Sequence, residues 1–308
     1  MPPCQWAPWR REAAARFARV RIVRHLADGA PRTAVLSGDT LVDVVSPHTD
    51  LPALLDDPDD ATLADTTARI AALAVGAETP LADAALLSPV GAPPAVLAVG
   101  LNYAAHAAEG GREPPQVPVV FTKHHNCVIG PGAPVHIPAA APDAVDYEGE
   151  LAIVIGRRCR HVPASLAPSV IAGYTVMNDV SVRDWQAASP TMTMGKSWDT
   201  HGPCGPVLVT GDEIDPHALA LTTTVNGELR QNARTDDLIF DCYALVAHIT
   251  TAFTLAPGTI ISTGTPAGVG AFSDPPRLLA PGDEVAITIE GIGTLTNPVV
   301  AEPDTQLL

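Results

Sequence analysis

The chain has 308 residues, 46% hydrophobic and 17% charged, enough for one large domain and a smaller one. Its formal charge of −16 argues against nucleic acid and anionic membrane as partners, so an anionic small substrate needs a local cluster of Lys or Arg. Cys4, Cys127, Cys159, Cys204 and Cys242 are scattered without a C-x-x-C, which suits a reduced cytoplasm, and no run reaches the roughly 18 apolar residues of a membrane span.

The first 18 residues carry arginines but no apolar h-region, which argues against a secretory signal; they fit either a short helical extension from about Arg10 or an upstream start codon, and no function is assigned to them. From Arg16 to about Pro94, the short strands "ARVRIV", "RTAVLSG" and "TLVDVV" precede the helix-compatible "DDATLADTTARIAALAVG". This predicts a small accessory α/β domain within residues 1–94, ending in the Pro-rich "SPVGAPP", and a mostly β body over 95–308. "AVLAVGLNY" reads as a buried strand entering a turn. "LTTTVNGELRQ" reads as a hairpin, with Asn226 and Gly227 at the positive-φ positions of a type I′ turn. One long helix is predicted from about Asp236 to Thr254. Its apolar positions Leu238, Ile239, Cys242, Leu245, Val246, Ile249 and Phe253 recur at three- and four-residue steps, and Thr235–Asp237 can cap it. "GTIISTG" and "DEVAITIEGIGTLTNPVV" add the closing strands, giving an α+β chain that is mostly β.

Glu148 and Glu150 form an E-x-E pair in "DAVDYEGELAIVIG", and Asp179 follows in "GYTVMNDVS". Residues i and i+2 of a strand share a face, so the two carboxylates repel unless a cation neutralises them. Such pairs are common on solvated strands, where no partner is needed. Here the apolar run Leu151, Ala152, Ile153, Val154 and Ile155 predicts a strand buried on both faces. Asp179 ends a second such run. A divalent, oxygen-preferring ion held by Glu148, Glu150 and Asp179 would satisfy all three.

Tyr103, His106 and Glu109 in "GLNYAAHAAEGG" share a face if the segment is helical. A carboxylate beside an imidazole suits a general base, with Gly110 and Gly111 as a hinge; an incidental pair on a solvated helix has the same spacing. Arg183, Gln186 and Lys196 follow Asp179. Three carboxylates and one divalent cation leave a net negative charge, so Arg183 could hold a substrate carboxylate and Lys196 could sit beside the metal; surface salt bridges are the alternative. "STGTPAGVG" lacks the ending of a P-loop, and its backbone amides and Thr265 are expected to contact a carboxylate instead. His124, His125 and His201 match no metal-ligand spacing and are read as loop or packing residues.

Seven segments in order, "VGLNYAAHAAE", "VFTKHH", "DYEGELAIVIG", "AGYTVMNDVSVRDWQ", "GKSWDTHGPCGP", "VNGELRQ" and "TGTPAGVG", resemble the fumarylacetoacetate hydrolase superfamily over roughly Val96 to Val300. The resemblance implies a mixed β-roll catalytic domain, usually a homodimer, beside a small N-terminal domain. It implies Mg²⁺ or Mn²⁺ on Glu148, Glu150 and Asp179. His106 and Glu109 would be the water-activating lid pair, with Lys196 catalytic and Tyr103, Arg183, Gln186 and Thr265 placing the substrate. Larger members add an acidic ligand just before the lid Tyr; Leu101-Asn102 stands there, which implies the three-carboxylate site.

A 2-oxo acid bound to such a cation is activated at C3, and the bond that breaks decides the reaction. Cleavage of an acylpyruvate by water is the expected reaction, since the His/Glu pair is intact. Oxaloacetate-type decarboxylation and dienoate isomerisation remain open on the same site, as does a non-catalytic, metal-stabilised binding paralogue.

Overall fold

A computed structural model describes residues 20–304 of the chain; the helical extension expected from about Arg10 lies outside them. Alternating and continuous apolar runs build one large mixed sheet. From one edge it runs Ala74–Pro80, Thr40–Val44, Ala30–Ser37, Arg21–Ala27, Gly202–Thr210, Ile171–Asn178, Gly149–Ile155, Ile260–Ser262, Val96–Gly100, Val119–Lys123. The centre is antiparallel, Leu151 facing Val176 and Ile153 facing both Tyr174 and Ile261, while Ile260–Ser262 runs parallel to Val96–Gly100. Every residue of Gly149–Ile155 and of Ile171–Asn178 is buried, as strands covered on both faces must be.

A second sheet of five strands is ordered Glu228–Arg234, Ala220–Val225, Glu284–Ile289, Gly293–Ala301, Val135–Ile137. Asn226 (φ 54°) and Gly227 (φ 77°) make the expected hairpin turn. Leu221, Ile287 and Leu295 of this sheet share a core with Leu151, Ile153 and Val176 of the large one. The mixed, mostly β architecture matches the expectation.

The first strands do not stand apart. Arg21 and Ile22 pair with Val209 and Leu208, and Ile22, Val35, Leu51 and Ile70 pack into one cluster with Ala152, Val154 and Ile260. Residues upstream of Pro94 therefore extend the catalytic sheet and cover its second face. The Leu63–Leu73 helix opens with a capping box between Thr62 and Asp65.

The long helix is shorter than its apolar period suggests. Thr235–Asp237 is a 3₁₀ turn, and the α-helix spans Cys242–Ala252, with Asp241 accepting from the Tyr243 and Ala244 amides. Tertiary contacts override the periodicity between these elements. Leu238 bridges to Tyr103, and the Asn102 side chain accepts from Phe240 N at 2.8 Å and donates to Phe240 O at 3.0 Å. No helix among the described residues is long and apolar enough to cross a membrane. Cys127, Cys159, Cys204 and Cys242 are buried free thiols.

Candidate active site

Glu148 precedes the Gly149–Ile155 strand, Glu150 lies in it, and Asp179 directly follows Ile171–Asn178, its neighbour in the sheet. The Asp179 amide donates to Glu148 O at 2.9 Å, which draws the two strand ends together. All three carboxylates are buried, and one oxygen from each lies within 4.8 Å of the others. Gly149, between the two glutamates, packs against the second sheet. A Cβ there would stand 2.3 Å from Thr223 Oγ1, so glycine is what lets the second sheet press against the E-x-E segment.

The positive charge around the triad comes from two lysines and an arginine. Lys196 Nζ donates to Glu148 Oε2 and Asp179 Oδ2, at 2.8 Å each, and lies 5.1 Å from the centre of the Phe121 ring. Lys123 Nζ is 2.7 Å from Asp179 Oδ1 and also donates to the Val180 and Lys196 carbonyls. Lys123 was not among the expected site residues. Its signal was present in the sequence: Phe121 and Lys123 share strand parity in "VVFTKHH", so the lysine falls on a buried face.

Arg183 makes contacts within the protein that its sequence neighbourhood does not show. Nε donates to Asp146 Oδ2 at 2.8 Å, and Nη1 donates to Glu148 Oε1 at 2.5 Å and to Gln186 Oε1 at 3.0 Å. The guanidinium thus holds two of the protein's own carboxylates while also lining the cleft. Burial by itself would raise the Glu148 carboxyl, but Lys196 and Arg183 together outweigh it and hold Glu148 below the usual range. Glu150 goes the other way. Burial, then the Asp179 and Glu148 charges, push it well above its ordinary value.

His106 and Glu109 lie on the short Ala104–Glu109 helix, with His106 Nδ1 3.2 Å from Glu109 Oε2. Glu109 also accepts from the Gly268 amide at 3.0 Å, and the His106 ring lies 5.7 Å from that of Phe272. Tyr103 is the residue before the helix. It is buried against Leu238 and its hydroxyl has no partner; burial, then the Glu150 charge, raise its pKa. It is not among the residues lining the cleft.

The glycine-rich segment does bind carboxylates, and they belong to the chain. Gly264 N and Ser262 Oγ donate to Glu150 Oε2 at 2.8 and 2.6 Å. Gly270 N and Ala271 N donate to Asp146 at 2.8 and 2.9 Å. Thr265 Oγ1 donates to Gly149 O at 3.1 Å and accepts from Gln231 Nε2 at 2.8 Å. His201 is buried, with Nε2 2.8 Å from the His136 carbonyl, and burial drops its pKa to about 4; His124 and His125 lie on an exposed turn. These fit the packing and loop roles expected of them.

A cleft of about 560 Å³ joins these groups, lined among others by His106, Glu148, Glu150, Gln186, Lys196 and Thr265. A second cavity of about 320 Å³, beside Leu63, Pro168 and Tyr243, holds none of them. The donor set of the triad suits a hard divalent cation. It is all oxygen and convergent, it contains one carboxylate that burial and like charge disfavour as an anion, and Asp179 Oδ1 lacks a well-directed hydrogen bond. Asn102 adds no fourth ligand, because its amide bonds the Phe240 and Thr263 main chain.

Comparison with known proteins agrees with this geometry. A Mycobacterium tuberculosis protein, Protein Rv2993c, is 51% identical over 226 residues, 73% of this chain and 82% of its own. The rat mitochondrial oxaloacetate tautomerase Fahd2a is 41% identical over 241 residues, 77% of each chain. The maleylpyruvate hydrolase of Sphingobium sp. SYK-6, solved with manganese(II) and pyruvate, superposes with a TM-score of 0.74 at 32% identity, over 92% of this chain and all of that one. Residues 95–300 match the family model described as fumarylacetoacetate (FAA) hydrolase C-terminal, so the chain is an enzyme of the fumarylacetoacetate hydrolase family.

Proposed function

We propose that this enzyme is a divalent-metal-dependent hydrolase that cleaves the C3–C4 bond of an acylpyruvate-type 2,4-dioxo acid. The observation that carries the reading is His106, with Glu109 at its Nδ1, lining the same cleft as Glu148 and Glu150 of the convergent carboxylate triad. Glu148, Glu150 and Asp179 would hold Mg²⁺ or Mn²⁺, which supplies Lewis-acid stabilisation of the negative charge left on the pyruvate half.

The remaining steps belong to the chain's own groups. The Glu109 carboxylate fixes the imidazole with its proton on Nδ1, leaving Nε2 free to accept one from water. The hydroxide equivalent adds to the C4 carbonyl. The C3–C4 bond then breaks to a carboxylic acid and pyruvate, and C3 takes up a proton. Lys196 supplies a fixed positive charge beside Glu148 and Asp179, and the Gln186 amide NH₂, engaged only by a 3.8 Å contact to Met192 sulfur, can meet the substrate. Arg183 serves by orienting Glu148, and Thr265 by lining the cleft.

A second reading is favoured by the oxaloacetate tautomerase relative. In it the same Nε2 carries a proton to or from C3 of an oxaloacetate-type acid, and no water is consumed. Assay of the purified enzyme with Mg²⁺ separates them. Acetylpyruvate converted to equimolar acetate and pyruvate supports the hydrolase. Interconversion of oxaloacetate enol and keto forms with acetylpyruvate untouched replaces it with the tautomerase, and released CO₂ identifies a decarboxylase. The family resemblance also supports a small anionic 2-oxo acid as substrate and a homodimer as the working form. The free cysteines suit a reducing compartment, of which the cytoplasm is the one proposed.

A further inference from the structure

We infer that Asp146 is a positioning residue that keeps the His106–Glu109 base in register with the acidic triad; the inference rests on the general-base reading above. Asp146 is fully buried and lies outside the convergent ligand set. Oδ1 accepts from the Tyr147 and Gly270 amides at 2.9 and 2.8 Å, and Oδ2 accepts from the Ala271 amide at 2.9 Å and Arg183 Nε at 2.8 Å. One carboxylate therefore ties two bodies together.

On the first side is Arg183, whose other nitrogen grips Glu148. On the second side is the 268–272 segment, which touches both residues of the pair. Gly268 N donates to Glu109, and Phe272 lies against His106. Tyr147 reinforces the link, its hydroxyl donating to Gly268 O at 2.9 Å. The backbone approaches are too close for side chains. A Cβ on Gly268 would stand 2.1 Å from Arg230 O, and one on Gly270 would stand 2.3 Å from Arg277 O and 2.7 Å from Asp146 Oδ1. The helix itself has six residues, and its Glu109 and His106 side chains both meet this loop.

The link can be cut from both ends in the full-length enzyme. Asp146→Asn removes the charge facing Arg183 and turns an amide NH₂ toward backbone donors. Gly270→Ala pushes the loop off Asp146 without touching Arg183 or Glu148. Because a displacement of about 1 Å at a catalytic base can cost on the order of a hundredfold, each variant should lower kcat by at least about tenfold. KM and the Kd for Mn²⁺ measured by calorimetry should stay within about threefold, and the double variant should be no slower than the slower single one. Tyr147→Phe, which deletes one hydroxyl, should lower kcat by a smaller factor. Hydrogen exchange gives a readout free of turnover: the Gly268 amide, which Asp146 does not touch, should lose protection in Asp146→Asn.

Unchanged kcat in Asp146→Asn and Tyr147→Phe overturns the inference, as does a loss of Mn²⁺ affinity in proportion to kcat or a Gly268 amide that keeps its protection. If the wild-type enzyme turns over no 2-oxo acid, the proposed function fails on its own, and Gly268 exchange still decides whether Asp146 holds the loop. If Asp146→Asn does not fold, Gly270→Ala and Tyr147→Phe decide by the same measurements.

Discussion

The two halves of the site are built on opposite terms. The triad sits at the joined ends of two central strands, where every neighbouring residue is buried and Gly149 lets the second sheet close over it. The His106–Glu109 pair sits on a six-residue helix whose last residue is exposed, and it takes its geometry from a loop some 160 residues away. Strands fix ligands by packing. The His106–Glu109 pair is held by its own contact and by the Gly268 amide. Damage to the lid should therefore remove turnover and leave the fold, and damage to the strands should cost stability and cation binding together.

The largest effect is expected on the lid. His106→Ala should reduce kcat/KM for the cleaved substrate by about a hundred- to ten-thousand-fold, with Mn²⁺ affinity unchanged. Steady-state kinetics beside calorimetry on one preparation would show it, and a variant with full rate would remove His106 from its role.

Next is the pH response of the metal-free triad. Glu150 has a folded pKa raised well above its ordinary 4.5, by burial and then by two like charges. Above pH 4.5 the folded state keeps a proton that the unfolded state has lost, so stability in chelator should fall as pH rises through that window. Divalent cation should flatten the fall, because it neutralises the same charge. Melting curves with EDTA and with Mg²⁺ across pH 5–8 would test this, and a fall that Mg²⁺ leaves unchanged would contradict it.

His201 gives an effect of opposite sign on the strand side. Its pKa falls from 6.5 to about 4 through burial, and Nδ1 has no partner to share a proton with. Between those values the unfolded chain binds a proton that the folded chain refuses. Stability should thus drop by up to about 3 kcal/mol as pH falls from 6.5 to 4. Urea unfolding of His201→Gln should show a shallower acid limb.

The smallest effect is expected from Gly149→Ala. The added methyl would meet Thr223 Oγ1 and should cost about 1–3 kcal/mol of stability. Unlike His106→Ala, it should weaken Mn²⁺ binding, since it moves Glu148 and Glu150 together. A variant that melts like wild type and binds Mn²⁺ equally would show that the sheets yield more easily than their packing suggests.

Much of the strand half could be read in the residues. Strand parity put Glu148 and Glu150 on one face, and the buried runs put Asp179 beside them. Parity does not reach Asp146, which lies in the separate short strand Val145–Asp146 paired with Ser181–Val182. What stayed hidden was long-range pairing. Arg183 looked free because nothing local shows that Asp146 and Glu148 claim it across about 35 residues. The helix expected from Asp236 begins at Cys242 because Asn102, 138 residues upstream, holds Phe240 in an extended turn. A one-dimensional period carries no record of such partners.

The central claim is that Glu148, Glu150 and Asp179 converge on one divalent cation. Calorimetric titration of chelator-treated protein with Mn²⁺, run in parallel on Glu150→Gln, tests it most directly. The account predicts one ion per chain for the wild type, and for the variant an affinity weakened by at least about tenfold. Equal binding by both proteins, or none by the wild type, would contradict it.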